Sequence, residues 1–381
     1  MKKFLVPALF LIITSCSMSG QIESIANRTT GPGPGNISQE IIDLHKRLII
    51  ADLHSDALLW ERDLLKKNSR GHVDIPRLVE GNVALQSFTI VSNYPFLVNT
   101  GCNFAFTDVF CCLTFLQGLP FKTAFSSRER ALYQIKKLHD AEKRSGGKFF
   151  IIRTGADLDD YLTMRKKNRN IAAGFIGLEG AYPLQGKAEN LQKFFDAGVR
   201  MIGMTHFPDS PMSGSVHGFS KGGLSPEGRR LVKKMQDMGI IIDLSHASRA
   251  AIRDILEIAK KPVIFSHTGL RGVCDNNRNI TDDEIRGIKR NGGVIGVAFF
   301  EKATCGRGID AIIDSIEYVI KIAGIDHVAL GSDFDGGVAT PVDSSGLILI
   351  TEALVKRGYS GKDIAKIMGG NAVRVLRESL P

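Results

Sequence analysis

The residues best equipped for chemistry stand where short apolar runs stop. Residues 48–53 run straight into His54-Ser55-Asp56. On an extended strand, positions i and i+2 project to one side, roughly 6.6–6.8 Å apart along the chain. An imidazole and a carboxylate so placed can hold a divalent metal through nitrogen and oxygen. One His-x-Asp triplet arises easily by chance, so its weight depends on repetition. The pattern does repeat. Glu179 follows Gly177-Leu178, His206 follows Met204-Thr205, His246 follows Asp243-Leu244-Ser245, His267 follows Phe265-Ser266, and Asp333 follows Gly331-Ser332. Singly, each has a bland explanation: a hydrogen-bonded core histidine, a turn glutamate, a capping aspartate. Burying them together without a counter-charge would be very costly, and a pair of metal ions removes that cost. His45, His72, His139, His217 and His327 stand at no such place. They read as surface or core residues.

These runs imply the elements that must position the cluster. Apolar stretches at 48–53, 83–91, 172–178, 199–205, 239–244, 262–266, 293–299 and 327–331 alternate with amphipathic helical patterns. That alternation implies a parallel sheet with helical crossovers. Eight such strands are what a (β/α)8 TIM barrel requires, and in that fold the C-terminal strand ends converge on the active site. Residues 149–152 offer a short accessory strand. Helix starts are legible: Thr281-Asp282-Asp283-Glu284 matches a capping box, and Ser225-Pro226 puts an N-cap before a first-turn proline. Ala131, Ile135 and Leu138 share one face of a helix expected over 126–144.

The chain of 381 residues is 43% hydrophobic and 23% charged, which suits a large globular core. Its formal charge of +9 is spread without a dense Lys/Arg block. A solvated basic surface is expected, and no nucleic-acid partner. Lys2 and Lys3 precede a short apolar run that ends in Ile13-Thr14-Ser15-Cys16. This resembles the bacterial lipoprotein signal, implying a signal peptide over 1–15, lipidation of Cys16, and an exported chain anchored to the membrane of the cell envelope. Residues 16–39, polar and interrupted by Gly31-Pro32-Gly33-Pro34-Gly35, read as a flexible tether. The barrel domain then occupies 40–381. One stretch breaks its rhythm: residues 93–121 hold seven aromatics with Cys102, Cys111 and Cys112. It is too apolar for disorder. It reads as a lid, a subunit contact in a homodimer, or a loop covering a small core of its own.

Taken together, His54-Ser55-Asp56, Glu179-Gly180, Thr205-His206, Asp243-Leu244-Ser245-His246, Phe265-Ser266-His267, Arg278-Asn279 and Gly331-Ser332-Asp333-Phe334-Asp335-Gly336 resemble the renal (membrane) dipeptidase family. The segments Gly223-Leu224-Ser225-Pro226-Glu227-Gly228 and Gly369-Gly370-Asn371 add to the likeness, which runs from about residue 41 to 380. It implies a (β/α)8 barrel with two Zn2+ that hydrolyses dipeptides, including some with a C-terminal D-residue. His54 and Asp56 would bind one zinc, His246 and His267 the other, and Glu179 would bridge. His206 and Arg278 match substrate-contacting positions, and Asp333 the proton-shuttling carboxylate. A disulfide between Cys274 and Cys305 is implied as well. Two metals sharing a water lower its pKa enough to give a bridging hydroxide near neutral pH.

There are departures from the family pattern. Glu179-Gly180 continues as Ala181-Tyr182, His206 is followed by Phe207-Pro208, and the aromatic insertion has no counterpart. Two other readings stand beside the dipeptidase: another two-metal barrel hydrolase acting on a lactone, cyclic amide or phosphoester, and a catalytically dead peptide-binding lipoprotein. The second should have lost metal ligands, and none of the five is missing.

Overall fold

Nine short strands form the centre of the molecule, seen in a computed structural model that describes residues 19–99, 101–104 and 107–381. They are β1 (Ile50–Asp52), β2 (Val83–Val91), β3 (Phe149–Ile151), β4 (Ala172–Glu179), β5 (Val199–Gly203), β6 (Ile241–Asp243), β7 (Ile264–Thr268), β8 (Val294–Val297) and β9 (Val328–Leu330). All pairings are parallel. Eight strands close a ring in chain order, with β2 pairing β4 from Leu85↔Ala173 to Val91↔Glu179 and β9 meeting β1 at Asp52↔Leu330. The ninth, β3, stays outside the ring and pairs only with the start of β4. The fold is the expected (β/α)8 barrel.

The unbroken apolar runs follow from this architecture, because a barrel strand is covered on both faces. Along β4, Ala172, Ile176 and Leu178 pack into the layer shared with the helices, while Ala173 and Phe175 pack into a second cluster. Glu179 has the parity of Phe175, so the pleat aims its side chain the same way, at the end of the strand. The final helix, Asn371–Ser379, adds Ala372, Val373, Val375 and Leu376 to that second cluster. Asn371 Nδ2 ties it to the barrel by donating to the carbonyls of Ile325 (2.7 Å) and Val328 (2.8 Å).

The helix signals act as their chemistry requires. Thr281 and Glu284 form a reciprocal capping box, Ser225 caps Gly228 N–H ahead of Pro226, and Ser127–Arg144 buries Ala131, Ile135 and Leu138. Cys274 and Cys305 are joined by a disulfide with Cα atoms 5.3 Å apart. Cys102, Cys111 and Cys112 are free thiols.

Part of the stretch expected to be a flexible tether is docked instead. Residues 19–26 are helical, and Glu23, 2% exposed, pairs with Arg62 Nε (2.7 Å) and Arg70 Nε (2.5 Å). Gly337 N–H donates to Asn27 Oδ1, and Thr29 pairs with Thr340. A buried carboxylate with two guanidinium partners fixes the segment. Those partners are too far along the chain for local composition to disclose. Cys16 and residues 1–15 lie outside the described residues. Among those described, no helix is long and apolar enough to cross a membrane.

Candidate metal centre

The seven residues singled out from the sequence as metal-binding or catalytic meet at the C-terminal mouth of the barrel, with Glu179 at the hub. Its Oε1 lies 3.1 Å from His246 Nε2 and 3.5 Å from both His54 Nε2 and His267 Nε2. Its Oε2 lies 3.7 Å from His206 Nε2. His54 Nε2 also faces Asp56 Oδ1 at 3.4 Å and Asp333 Oδ1 at 3.8 Å. The nitrogens of His246 and His267 are 2.9 Å apart. All seven side chains are buried.

A second layer of residues aims these groups. Ser266 Oγ sits 3.0 Å from both His54 Nδ1 and His267 Nδ1, and it donates to Asp243 Oδ2 at 2.6 Å. With its one proton given to Asp243, the hydroxyl accepts from both rings, fixing each so that its Nε2 points at Glu179. Asp243 is itself held by the N–H groups of Ser245 and Ser266. The same device recurs between β9 and β1, where Ser332 donates from Oγ (2.6 Å) and N (2.8 Å) to Asp52. Thr89 Oγ1, on β2, is 2.6 Å from Asp56 Oδ1 and fixes that carboxylate. Gly296 and Gly331 crowd the Ser266 carbonyl so closely that a Cβ on either would lie 2.0–2.2 Å from it. The backbone is bent for the purpose: His246 and Asp333 adopt φ of 65° and 63°, a region costly for non-glycine residues.

The electrostatics call for a cation. Burial and the neighbouring Asp56 hold Glu179 well above the usual carboxylate range, and burial with Asp56 and Asp52 pushes Asp333 up to about 7. Burial drives His206, His246 and His267 well below the ordinary imidazole value, with positive neighbours adding to it. Against the same burial, Glu179 and Asp56 lift His54 to about 10. Buried His54 Nε2 and Glu179 Oε2 have no hydrogen-bond partner. Orphaned donor atoms on converging imidazoles and carboxylates fit a divalent metal pair. The ligand atoms form three overlapping groups, each within 4.8 Å: His54, Glu179 and His267; Glu179, His206 and His246; His54, Asp56 and Asp333.

Arg278 approaches from the loop after β7. Its guanidinium donates to His267 O (2.8 Å) and Thr268 Oγ1 (3.2 Å), and the charges of Asp333 and Glu179 reach it. His206 is set by Tyr182, whose hydroxyl accepts from His206 N–H (2.8 Å) and donates to Pro208 O (2.6 Å). The tyrosine that departs from the family pattern therefore shapes the pocket beside His206. Gly180 makes room for it, with φ of 93° and a would-be Cβ 2.3 Å from the Tyr182 ring.

Sequence reasoning missed four contributors. His217 packs its ring 5.4 Å from that of His246, at the site and not in an unrelated core. Tyr94, from the insertion, lies 5.8 Å from the His206 ring, centroid to centroid. Ser266 and Ser332 carried a usable signal: a serine directly precedes His246, His267 and Asp333. The other outlying histidines are structural. His45 and His72 are buried in hydrogen bonds, and His139 and His327 each bond a backbone carbonyl.

A closed parallel barrel with imidazoles and carboxylates gathered at its strand ends defines a metal-dependent hydrolase of the TIM-barrel type. Comparison with known proteins narrows the class. The family model for membrane dipeptidase (peptidase family M19) matches residues 38–380, and the chain belongs to that family of metallo-dipeptidases. Dipeptidase tcpJ of Claviceps purpurea is 30% identical over 82% of this chain and 70% of its own length. An uncharacterized dipeptidase of Schizosaccharomyces pombe is 29% identical over 89% of this chain and 80% of its own length. A Rhodobacter sphaeroides metallopeptidase, solved with a phosphinate mimic of L-Ala-D-Ala, shares the fold: TM-score 0.71, 24% identity, 87% of this chain and 99% of that one.

Proposed function

We propose that this protein is an exported, lipid-anchored dipeptidase that uses two zinc ions and accepts dipeptides with a C-terminal D-residue. The observation that carries the metal reading is Glu179, one carboxylate facing four imidazoles. His54 and Asp56 would hold one ion and His246 and His267 the other, with Glu179 shared between them. Two bound cations supply a water acidic enough to act as hydroxide near neutral pH, and a Lewis acid for the peptide carbonyl.

The chain's own residues do the rest. Asp333, at the mouth and with its carboxyl lifted to about 7, takes a proton from the attacking water and passes it to the leaving amine. Arg278 keeps part of its guanidinium fork for the substrate's terminal carboxylate. His206 aims Nε2 at the carbonyl oxygen, where it stabilises developing charge. That role needs the proton on Nε2, so the ring gives up its long 3.4 Å contact from Nδ1 to Asn93 O. The Ala-D-Ala mimic in the Rhodobacter sphaeroides enzyme supports acceptance of a C-terminal D-residue. The signal-like start, Cys16 and the Cys274–Cys305 disulfide support export.

Turnover of matched dipeptides with free and amidated C-termini tests this assignment. Losing the charge-assisted contact to Arg278 should cost about 2–3 kcal/mol, or roughly 30- to 150-fold in kcat/KM, and Arg278→Lys should recover little of it. Equal turnover of both forms removes Arg278 from substrate binding. No cleavage of any dipeptide by zinc-loaded protein removes the dipeptidase reading.

A further inference from the structure

Six of the ten large apolar side chains exposed among the described residues belong to one stretch, the others being Ile22, Ile25, Met164 and Phe219. Among the described residues, Phe96, Leu97, Phe104, Phe115, Phe121 and Phe125 are exposed, and all lie in or just beyond the insertion. Three of them form a row: the Phe121 ring is 6.1 Å from that of Phe115 and 5.3 Å from that of Phe125, with exposures of 55% (Phe115), 69% (Phe121) and 69% (Phe125). Such edge-on rings would ordinarily be turned inward to shed water. Cations flank them. Lys122, itself 68% exposed, pairs with Glu129, and Arg128 and Lys193 act on the same carboxylate. Three positive charges around one negative charge leave the rim of the row basic.

The first described residues dock beside the same part of the fold. Cys16 precedes Ser19, the first described residue, by three positions, and three residues reach at most roughly 10–11 Å. Because Glu23 is pinned to Arg62, that reach is measured from the barrel itself and not from the end of a loose tether. Arg62 belongs to the loop after β1. The insertion caps that loop too, its Phe110, Leu113 and Thr123 lining one cavity with Leu58, Leu59 and Glu61. Ile22 and Ile25, on the docked segment, are exposed as well.

We infer that the row Phe115, Phe121 and Phe125, with its basic rim, is a docking surface for an anionic lipid bilayer. The rings enter the headgroup boundary while Lys122, Arg128 and Lys193 meet lipid phosphates. Aromatic side chains beside cations suit that boundary. The inference rests on the lipid-anchor reading.

The test uses the full chain, purified and reconstituted into vesicles of equal parts phosphatidylcholine and phosphatidylglycerol. Phe121→Trp places a reporter in the row, and the single native Trp60 is buried and can be subtracted. Acyl-brominated lipids should quench the new indole at least twofold, while Met164→Trp, on the helix Gly155–Lys167, stays unquenched. Phe115→Ser, Phe121→Ser and Phe125→Ser combined should lower vesicle binding of delipidated protein about tenfold, with dipeptidase turnover unchanged. Equal quenching in both reporter variants, or none in Phe121→Trp, overturns the inference. A concentration-dependent dimer that the triple variant abolishes also overturns it, because the row is then a contact between two copies. Mass spectrometry of Cys16 reads the anchor separately. An unmodified Cys16 refutes the anchor, and binding by the delipidated protein still decides the row.

Discussion

At the barrel mouth, buried polar side chains converge on one carboxylate; a few residues away, in the insertion, apolar rings face water and thiols stand free. The mouth is built from strand ends, so each ligand inherits its position from backbone ladders that involve the whole ring. The insertion leaves β2 as an extra excursion, and no ladder depends on it. The comparison teaches where substitutions will spread. A change at the mouth is transmitted through Ser266, Asp243 and Ser332 to several ligands at once, whereas a change on the outer surface of the insertion stays local.

Four experiments press on that contrast. Glu179→Ala should have the largest effect, losing most of the bound metal and at least roughly a thousandfold in kcat/KM, because one carboxylate faces every imidazole of the cluster. Metal analysis alongside kinetics decides it, and full metal retention would take Glu179 out of the hub. Asp333→Asn should lower kcat by about 10²–10⁴ while metal content stays near that of the parent, since an amide cannot carry the proton. A parallel loss of metal would make Asp333 a ligand instead.

Ser266→Ala removes no ligand, yet it should weaken metal binding about 10- to 100-fold, as expected when a group that orients two metal-binding rings is lost. Chelator competition measures this, and unchanged affinity would show that the hydroxyl sets neither ring. The smallest effect belongs to the other region. Cys111→Ser with Cys112→Ser should shift stability by less than about 0.5 kcal/mol, because neither thiol is bridged and both side chains lie at least partly in solvent. A large fall in melting temperature would mean that the insertion is as tightly coupled as the mouth.

The sequence was readable where chemistry and periodicity coincide. Strand ends carrying His54, Glu179, His246, His267 and Asp333 stood out because charged groups seldom terminate buried apolar runs without purpose. The serines beneath them left a signal in their place directly before His246, His267 and Asp333, but a weak one, since serine is common and its partner lies on another strand. His217 was set aside because no apolar run precedes it; the loop after β5 folds it back against His246. Glu23 was hidden for a different reason. In a polar stretch rich in Gly and Pro, one glutamate gives no sign that Arg62 and Arg70 await it. The seven aromatics of the insertion left a lid, a subunit contact and a loop over its own core all open, because composition counts rings without saying which face of a loop they occupy; several are exposed.

The docking of residues 19–31 also bears on time. Asn27 bonds Gly337, and Thr30 bonds Thr340, partners 310 positions further along the chain. A chain delivered from its N-terminus has no Gly337 or Thr340 to offer until it is almost complete. Until then the segment lacks its bonds to Gly337 and Thr340, although Glu23 can already meet Arg62 and Arg70. Only when the last strand and the loop after it arrive can Glu23 and Asp335 both settle on Arg62, so the seam between the docked segment and that loop closes late.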